Sequence, residues 1–354
     1  MKYDIICISA AEGGKNIDSF REEIIQLWKE NLNGLSRERF DWFYKRNPLG
    51  SPVTWCAVDN ANGAFVGCNS LYPRSILISN KHAVAGIAAD FAISRSHRVF
   101  GPSLQLQRSI TTQVHEKGFE FSLCWPNKSA AGVFTRAGYR CLGEAAVWVK
   151  VLRFGKKLET IITNPFLRSV AAFFADLYVG IIEWLGLLGS QGKRENVVSR
   201  EVHSVFDKLK GLSAFEDLLI FEKDLAYLNW RYVENRTDEY FFYSSFSEKS
   251  KQLIGYLVYS IKDMVVTVWD MNARDLASAK TILLDFSRHM RKSGMVSIGM
   301  VFLGNERLQN VFKQAVFVRK NTGRYVSIYC DKEQIRERVG RENNWILFEG
   351  DLDL

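Results

Sequence analysis

Apolar and polar positions along the chain alternate between two periods, and the same succession occurs twice. From Ile17 to Leu32 the apolar Phe20, Ile24, Leu27 and Trp28 fall on one helical face. Val53–Val58 and Ala64–Tyr72 read as strands joined through the turn residues Asn60–Gly63, a hairpin. Ser75–Ser79 and Ala83–Ile93 supply further strands. Leu104–Lys117 reads as a helix closed by Gly118, then come a strand Phe119–Cys124, a helix Ser129–Ala137 and a strand Arg140–Lys150. The second pass places strands at Tyr240–Ser245, Gln252–Ser260 and Met264–Trp269, then a helix Ala277–Lys292 ending at Gly294. Strand Val296–Phe302, helix Glu306–Gln314 and strand Tyr325–Cys330 complete it.

Three landmarks support a repeat. Trp42-x-Tyr44-x-x-Asn47 returns as Trp230-x-Tyr232-x-x-Asn235, Phe65-Val66-Gly67 as Leu253-Ile254-Gly255, and Phe134 with Tyr139 as Phe312 with Phe317. The order predicts an α/β chain, each half an α+β unit on a mixed sheet. The expected division is 1–150, a linker 151–220, and 221–354. Within the linker, Pro165–Gly189 is almost wholly apolar, with Asp176 and Glu183 seven residues apart on one helical face. As a helix it is long enough to span a bilayer. Two central acids cost about 2.5–3.5 kcal/mol each on insertion scales, which disfavours spanning. That leaves packing between the halves, or lying in a membrane interface with Arg153, Lys156, Lys157, Lys193 and Arg194 at its ends.

Composition narrows the class. The 354 residues include 24 Phe, 13 Tyr and 9 Trp, which argues against disorder. The net charge is +8, with 18 Lys/Arg against 13 Asp/Glu in residues 1–150 and the remaining excess spread thinly. No basic block marks a nucleic-acid binder. The six cysteines stand apart without metal-ligand spacing, so reduced thiols and no metal are expected. The start lacks a signal-peptide pattern, which predicts a cytoplasmic chain, with membrane association only through 165–189.

The stretch with the most chemistry is Asp90-Phe-Ala-Ile93-Ser-Arg-Ser-His97-Arg98-Val99-Phe100-Gly101-Pro102-Ser103. A strand runs through Ile93 into a loop and then a helix. Such a turn aims backbone N–H groups and the helix dipole at an anion. Gly101 permits close approach, and Ser103 stands at the helix start as cap or hydroxyl donor. A tight turn relieved by glycine would read the same way.

Here the chain resembles the GNAT acyltransferase superfamily, whose cofactor motif is Arg/Gln-x-x-Gly-x-Gly/Ala. Arg98-Val99-Phe100-Gly101-Pro102-Ser103 matches at Arg98 and Gly101, with Ser103 in the last place. Pro126-Asn127 through Phe134 to Gly138-Tyr139 is similar to the superfamily's Asn-containing helix ending in a Gly-aromatic pair. The resemblance covers most of 1–150, and 221–330 more weakly, as in bacterial chains with two tandem GNAT-like domains. It implies acetyl-CoA or another acyl-CoA as cosubstrate, held by Ile93, Arg98, Val99, Phe100, Gly101, Ser103 and Asn127. It also implies transfer to an amine or hydroxyl of a small molecule or an envelope sugar precursor. Two positions depart from the pattern. Pro102 has no N–H, and Phe134 stands where many members place a tyrosine that protonates the leaving thiolate.

Asp90 and His97 are the candidate bases, with a buried structural role open for Asp90 and an exposed loop position for His97. The second copy is degenerate: Trp269–Leu276 has no glycine loop. Trp230, Arg231 and Tyr232 either line a cleft between the halves or anchor the core, and the tail docks through Trp345 and Phe348. A non-catalytic tandem binding module is the alternative function. Aminoacyl transfer of the peptidoglycan-branching type would call for a concentrated basic patch.

Overall fold

The computed structural model describes residues 2–9, 17–31, 37–78, 81–98, 101–159, 161–188, 193–209, 218–235 and 238–352. Val99 and Phe100 lie outside the described residues, as does Asp353.

The chain opens with β1 (Tyr3–Ile8), then α1 (Arg21–Asn31) and α2 (Arg37–Phe40). α1 turns Ile24, Ile25, Leu27 and Trp28 inward, the apolar face read from its period. β2 (Val53–Asp59), β3 (Phe65–Ile78) and β4 (Lys81–Ile93) form an antiparallel meander. Two expected strands are therefore one, running through Pro73. Proline is tolerated there because β2 stops at the level of Leu71, so the missing N–H breaks no ladder on that side. α3 (Pro102–Gln113) leads to β5 (Ser122–Cys124), parallel to β4, then α4 (Ala131–Arg136) and β6 (Arg140–Glu144).

The strand expected over Arg140–Lys150 is cut in two. Ala145 turns out of line, its N–H donating to the carbonyl of Arg324, and β7 (Ala146–Val151) leaves for the other sheet. α5 (Phe154–Leu158) and α6 (Pro165–Leu188) follow, then β8 (Arg194–Ser199) and α7 (Leu225–Leu228). The second sheet is built from β9 (Phe241–Ser247), β10 (Leu253–Lys262) and β11 (Val265–Ala273), with α8 (Leu276–Lys292) crossing to β12 (Ser297–Gly304). α9 (Glu306–Gln314), β13 (Val318–Lys320), β14 (Tyr325–Tyr329), α10 (Glu333–Val339), β15 (Ile346–Phe348) and α11 (Glu349–Leu352) complete the path.

The first sheet has the order β1-β2-β3-β4-β5-β14-β6, and the second β8-β9-β10-β11-β12-β7-β13. The two orders match place for place, and in each the sixth strand comes from the other half. β14 lies antiparallel between β5 and β6, and β7 antiparallel between β12 and β13.

A second pairing joins the halves. Trp42 and Trp230 sit in two π-helical turns, Asp41–Lys45 and Asn229–Val233. Their rings stack at 4.8 Å. Each indole N–H donates to the other's backbone carbonyl, at 2.7 and 3.0 Å. The sequence landmark that suggested a repeat is thus a local two-fold contact. One continuous apolar cluster runs through it, from Trp28, Tyr44 and Tyr72 to Tyr256, Leu303 and Trp345.

The exchange predicts that residues 1–150 made alone, lacking β14, show no cooperative thermal transition by circular dichroism. A sharp transition for that fragment would contradict it. In the full chain, Trp230→Ala is expected to cost about 3–5 kcal/mol in denaturant unfolding.

Candidate functional site

β4 and β5 run side by side for only two residue pairs, Gly86 with Ser122 and Ile87 with Leu123. From Ala88 onward, β4 keeps β3 on one side and has no strand on the other among the described residues. A β-bulge occurs where they part. Cys68 pairs with Ala92 and Ser70 with Ala89, so Asp90 and Phe91 together oppose Asn69. Asp90 has φ of 61°, a conformation rare outside glycine. A bulge bends its strand and raises the local twist, and here it coincides with the parting of β4 from β5.

Beyond Ile93 the chain makes a tight turn over Arg95–His97 and enters α3 through Gly101 and Pro102. Gly101 has φ of 89°, and among the described residues other than its chain neighbours no atom lies within 4 Å of the place its Cβ would occupy. Gln105 N–H donates to the Gly101 carbonyl at 3.2 Å. Among the described residues no side chain caps α3. The N–H groups of Ser103 and Leu104 therefore open the helix without a side-chain acceptor, and Pro102, at a position where proline is favoured, adds none. An anion approaching the start of α3 meets these two N–H groups and the helix dipole. Arg98 stands beside the turn, donating to the Ile93 carbonyl at 3.4 Å and to the Asn31 side chain. The Ile93 side chain itself lies in the apolar cluster beneath α3.

On the β5 side, Asn127 accepts from the Ala130 N–H at 3.0 Å and the Ser129 hydroxyl at 2.7 Å, holding the start of α4. Phe134 is buried edge-on against Phe91 and Tyr139. The Tyr139 hydroxyl pairs with Ser122 at 2.9 Å. Burial, then the neighbouring Cys124, pushes that phenol well above its ordinary range, so it stays protonated.

The two candidate bases point away from each other. The Asp90 carboxylate is 1% exposed, and Arg39 holds it through contacts of 2.8 and 3.3 Å. The Tyr44 hydroxyl donates to it at 3.1 Å; burial, then Asp90 itself, keeps that phenol protonated. Arg39 also lies over the rings of Trp28 and Phe43. His97 meets the Tyr3 hydroxyl at 3.1 Å and Asp59 at 3.7 Å. Tyr3 and Asp59 pair across β1 and β2, on the side of β4 away from the gap. Arg39 carried no signal in the sequence, since its partner is 51 residues away.

The second half has the same geometry, closed. β11 and β12 run parallel from Val265/Ser297 to Val268/Met300 and then part. Into the opening comes β15, pairing Phe302–Gly304 with Ile346–Phe348, while β7 holds the other edge of β12. Gly304 and Gly350 are required by this closure. A side chain at the first would strike the Trp345 carbonyl, and at the second the Tyr232 hydroxyl and the Trp269 carbonyl. The start of α8 is occupied as well: the Asp275 carboxylate accepts from Ser278 N–H at 2.7 Å. Asp270, the strand residue that Tyr232 contacts as Tyr44 contacts Asp90, is buried with Lys223. Burial, opposed by Lys223, pushes the Asp270 carboxyl up to about 6. Trp230, Arg231 and Tyr232 are all buried, and so are Trp345 and Phe348. A cavity of about 560 Å³ lined by Arg140, Cys141, Cys330 and Arg336 lies by β14 and α10.

No family model matches the sequence, and no curated protein matches it. Solved structures do. A conserved protein of unknown function from Enterococcus faecalis V583, named "Probable N-Acyltransferase", is similar with a TM-score of 0.65 at 10% identity, over 95% of this chain and 74% of that one. A GCN5-related N-acetyltransferase from Kribbella flavida is similar with a TM-score of 0.57 at 12% identity, over 92% of this chain and 71% of that one. Another from Anabaena variabilis has a TM-score of 0.58 at 10% identity, over 92% and 72%. The chain has the fold of the GCN5-related N-acetyltransferases, mixed α/β on two mixed sheets.

The Arg39–Asp90 contact predicts an asymmetric cost. Arg39→Ala strands a buried carboxylate and should lose about 3–5 kcal/mol in urea unfolding. Adding Asp90→Asn should recover part of that loss. Additive losses would show that the pair is not coupled.

Proposed function

We propose that the first half binds acyl-coenzyme A and that the chain transfers the acyl group to an amine or hydroxyl acceptor. The observation that carries this reading is the contrast between the openings. The first keeps an uncapped helix start over an open strand edge, and the second has a carboxylate on its helix and a strand in its gap. The fit to coenzyme A rests on Gly101, which presents no side chain beside the helix start, and on the Ser103 and Leu104 N–H groups that would hold a pyrophosphate.

In this reading the open edge of β4 from Ala88 receives the pantetheine arm, much as a strand would, and places the thioester near the bulge. Rate enhancement comes from positioning the acceptor against the thioester and from N–H groups facing its carbonyl oxygen. Transfer forms a bond from the acceptor nitrogen or oxygen to the acyl carbon and breaks the carbon–sulfur bond, releasing the thiol. With Phe134 in the usual tyrosine position, water takes the proton that the acceptor loses and delivers one to the leaving thiolate. Asp90, tied to Arg39 and Tyr44, serves chiefly to fix the bulge. His97, facing Tyr3 and Asp59, serves to fix the turn.

The second reading, binding without catalysis, draws on Pro102 and Phe134, which remove one N–H and one acid from the usual set.

Acetyl-coenzyme A in hundredfold excess over its dissociation constant should stabilise the protein by about 2.7 kcal/mol, seen as a rise in Tm. Gly101→Trp should abolish the rise. An unchanged Tm for both proteins would overturn the reading. A shift without thiol release, across a panel of amines and alcohols, would favour the binding module.

A further inference from the structure

α6 is inside out. Its acids face the protein and its apolar residues face away. Asp176 accepts from Phe154 N–H at 2.9 Å. Glu183, 2% exposed, is shared between Lys150 at 2.7 Å and Arg291 on α8. Burial pushes the Lys150 ammonium down to about 8 against the pull of Glu183. Gly186 brings the helix close to Leu284 of α8. On the other face Phe166, Phe173, Leu177, Tyr178, Trp184 and Leu185 are between 47% and 73% exposed. Half of the exposed large hydrophobic residues among those described are on this helix. Soluble monomers rarely leave so large a contiguous apolar patch uncovered.

The helix has 24 residues, about 36 Å at 1.5 Å per residue. Pro165–Leu187 is long and apolar enough to cross a bilayer. The ion triad argues otherwise, because it fixes one face against the second half. Only the outer face is available.

Charge at the ends selects the occupant. Arg153 and Lys157 are exposed before the helix, Arg168 lies in its first turn, and Lys193 is exposed after it. The described residues between Arg153 and Lys193 contain one exposed acid, Glu159. A second copy laid antiparallel would set basic end against basic end. A surface of anionic lipid meets both ends at once, and aromatic residues at both ends suit the headgroup level.

We propose that α6 lies flat in the interface of an anionic membrane, inserting its outer face while the Glu183 side stays docked on the second half. This does not rest on the acyl-transfer reading.

The test is flotation of the full chain with vesicles of mixed phosphatidylcholine and phosphatidylglycerol, beside vesicles of phosphatidylcholine alone. Binding to the mixed vesicles should be at least about tenfold stronger and should weaken with salt. Phe173→Glu with Leu177→Glu should abolish it without lowering Tm. Arg153→Gln with Lys157→Gln should remove the preference for phosphatidylglycerol. As a check that needs no charge in the apolar face, brominated lipid should quench the native chain more than Trp184→Phe. Failure to float with either vesicle would overturn the proposal, as would flotation indifferent to the Glu substitutions. A dimer in light scattering that the Glu pair makes monomeric, without lipid binding, would assign the face to a second copy.

Discussion

The sixth strand of each sheet is supplied by the opposite half, and that exchange constrains everything else. A strand inside a sheet satisfies backbone groups on both its edges, so removing β14 would strip β6 of its strand partner and β5 of one edge, and removing β7 would do the same to β13 and β12. The Trp42–Trp230 contact lies in the same continuous core. The halves therefore cannot slide or open as hinged domains do without breaking ladder hydrogen bonds.

Within this rigid frame the two halves diverge at one place, the parting of the fourth and fifth strands. Both openings follow from parallel pairing that lasts only a few residues. What differs is the chain available to fill them. The tail reaches the second opening, where it gains a three-residue ladder and buries Trp345, Ile346, Leu347 and Phe348. The first opening has the Gly101 turn above it and Phe134 packed to one side. One fold thus holds a helix start with no side-chain cap among the described residues in one half, and in the other a helix start already neutralised by Asp275. No large rearrangement separates the two; a carboxylate and a short strand suffice.

Local features were legible in the sequence. The period of α1, the Gly101 turn, the buried tail anchors and the paired Trp landmarks all depend on neighbours within a few residues or on a repeat. The apolar Pro165–Gly189 segment was legible too, as a helix, though its inward-facing acids needed Lys150 and Arg291 to explain them. The exchange was not. Arg140–Lys150 reads as one strand because Ala145 and Ala146 carry no turn signal, and only the distant Arg324 carbonyl and β12 show where the chain divides. β1, β8 and β15 were missed for related reasons: what makes them strands is a partner far along the chain. The commitment of Asp90 to Arg39 is likewise a long-range choice, invisible to spacing.

The exchange also sets a timetable. During synthesis β5 and β6 emerge well before β14, so the first sheet must wait with an unfilled slot until most of the second half has been made. Contacts of such large sequence separation slow folding and lengthen the life of exposed strand edges. β7, made early, meanwhile has no β12 to join, and α6 has no α8 to lean on. The nascent chain thus carries two open edges and an apolar helix together until β12, α8 and β14 have been made.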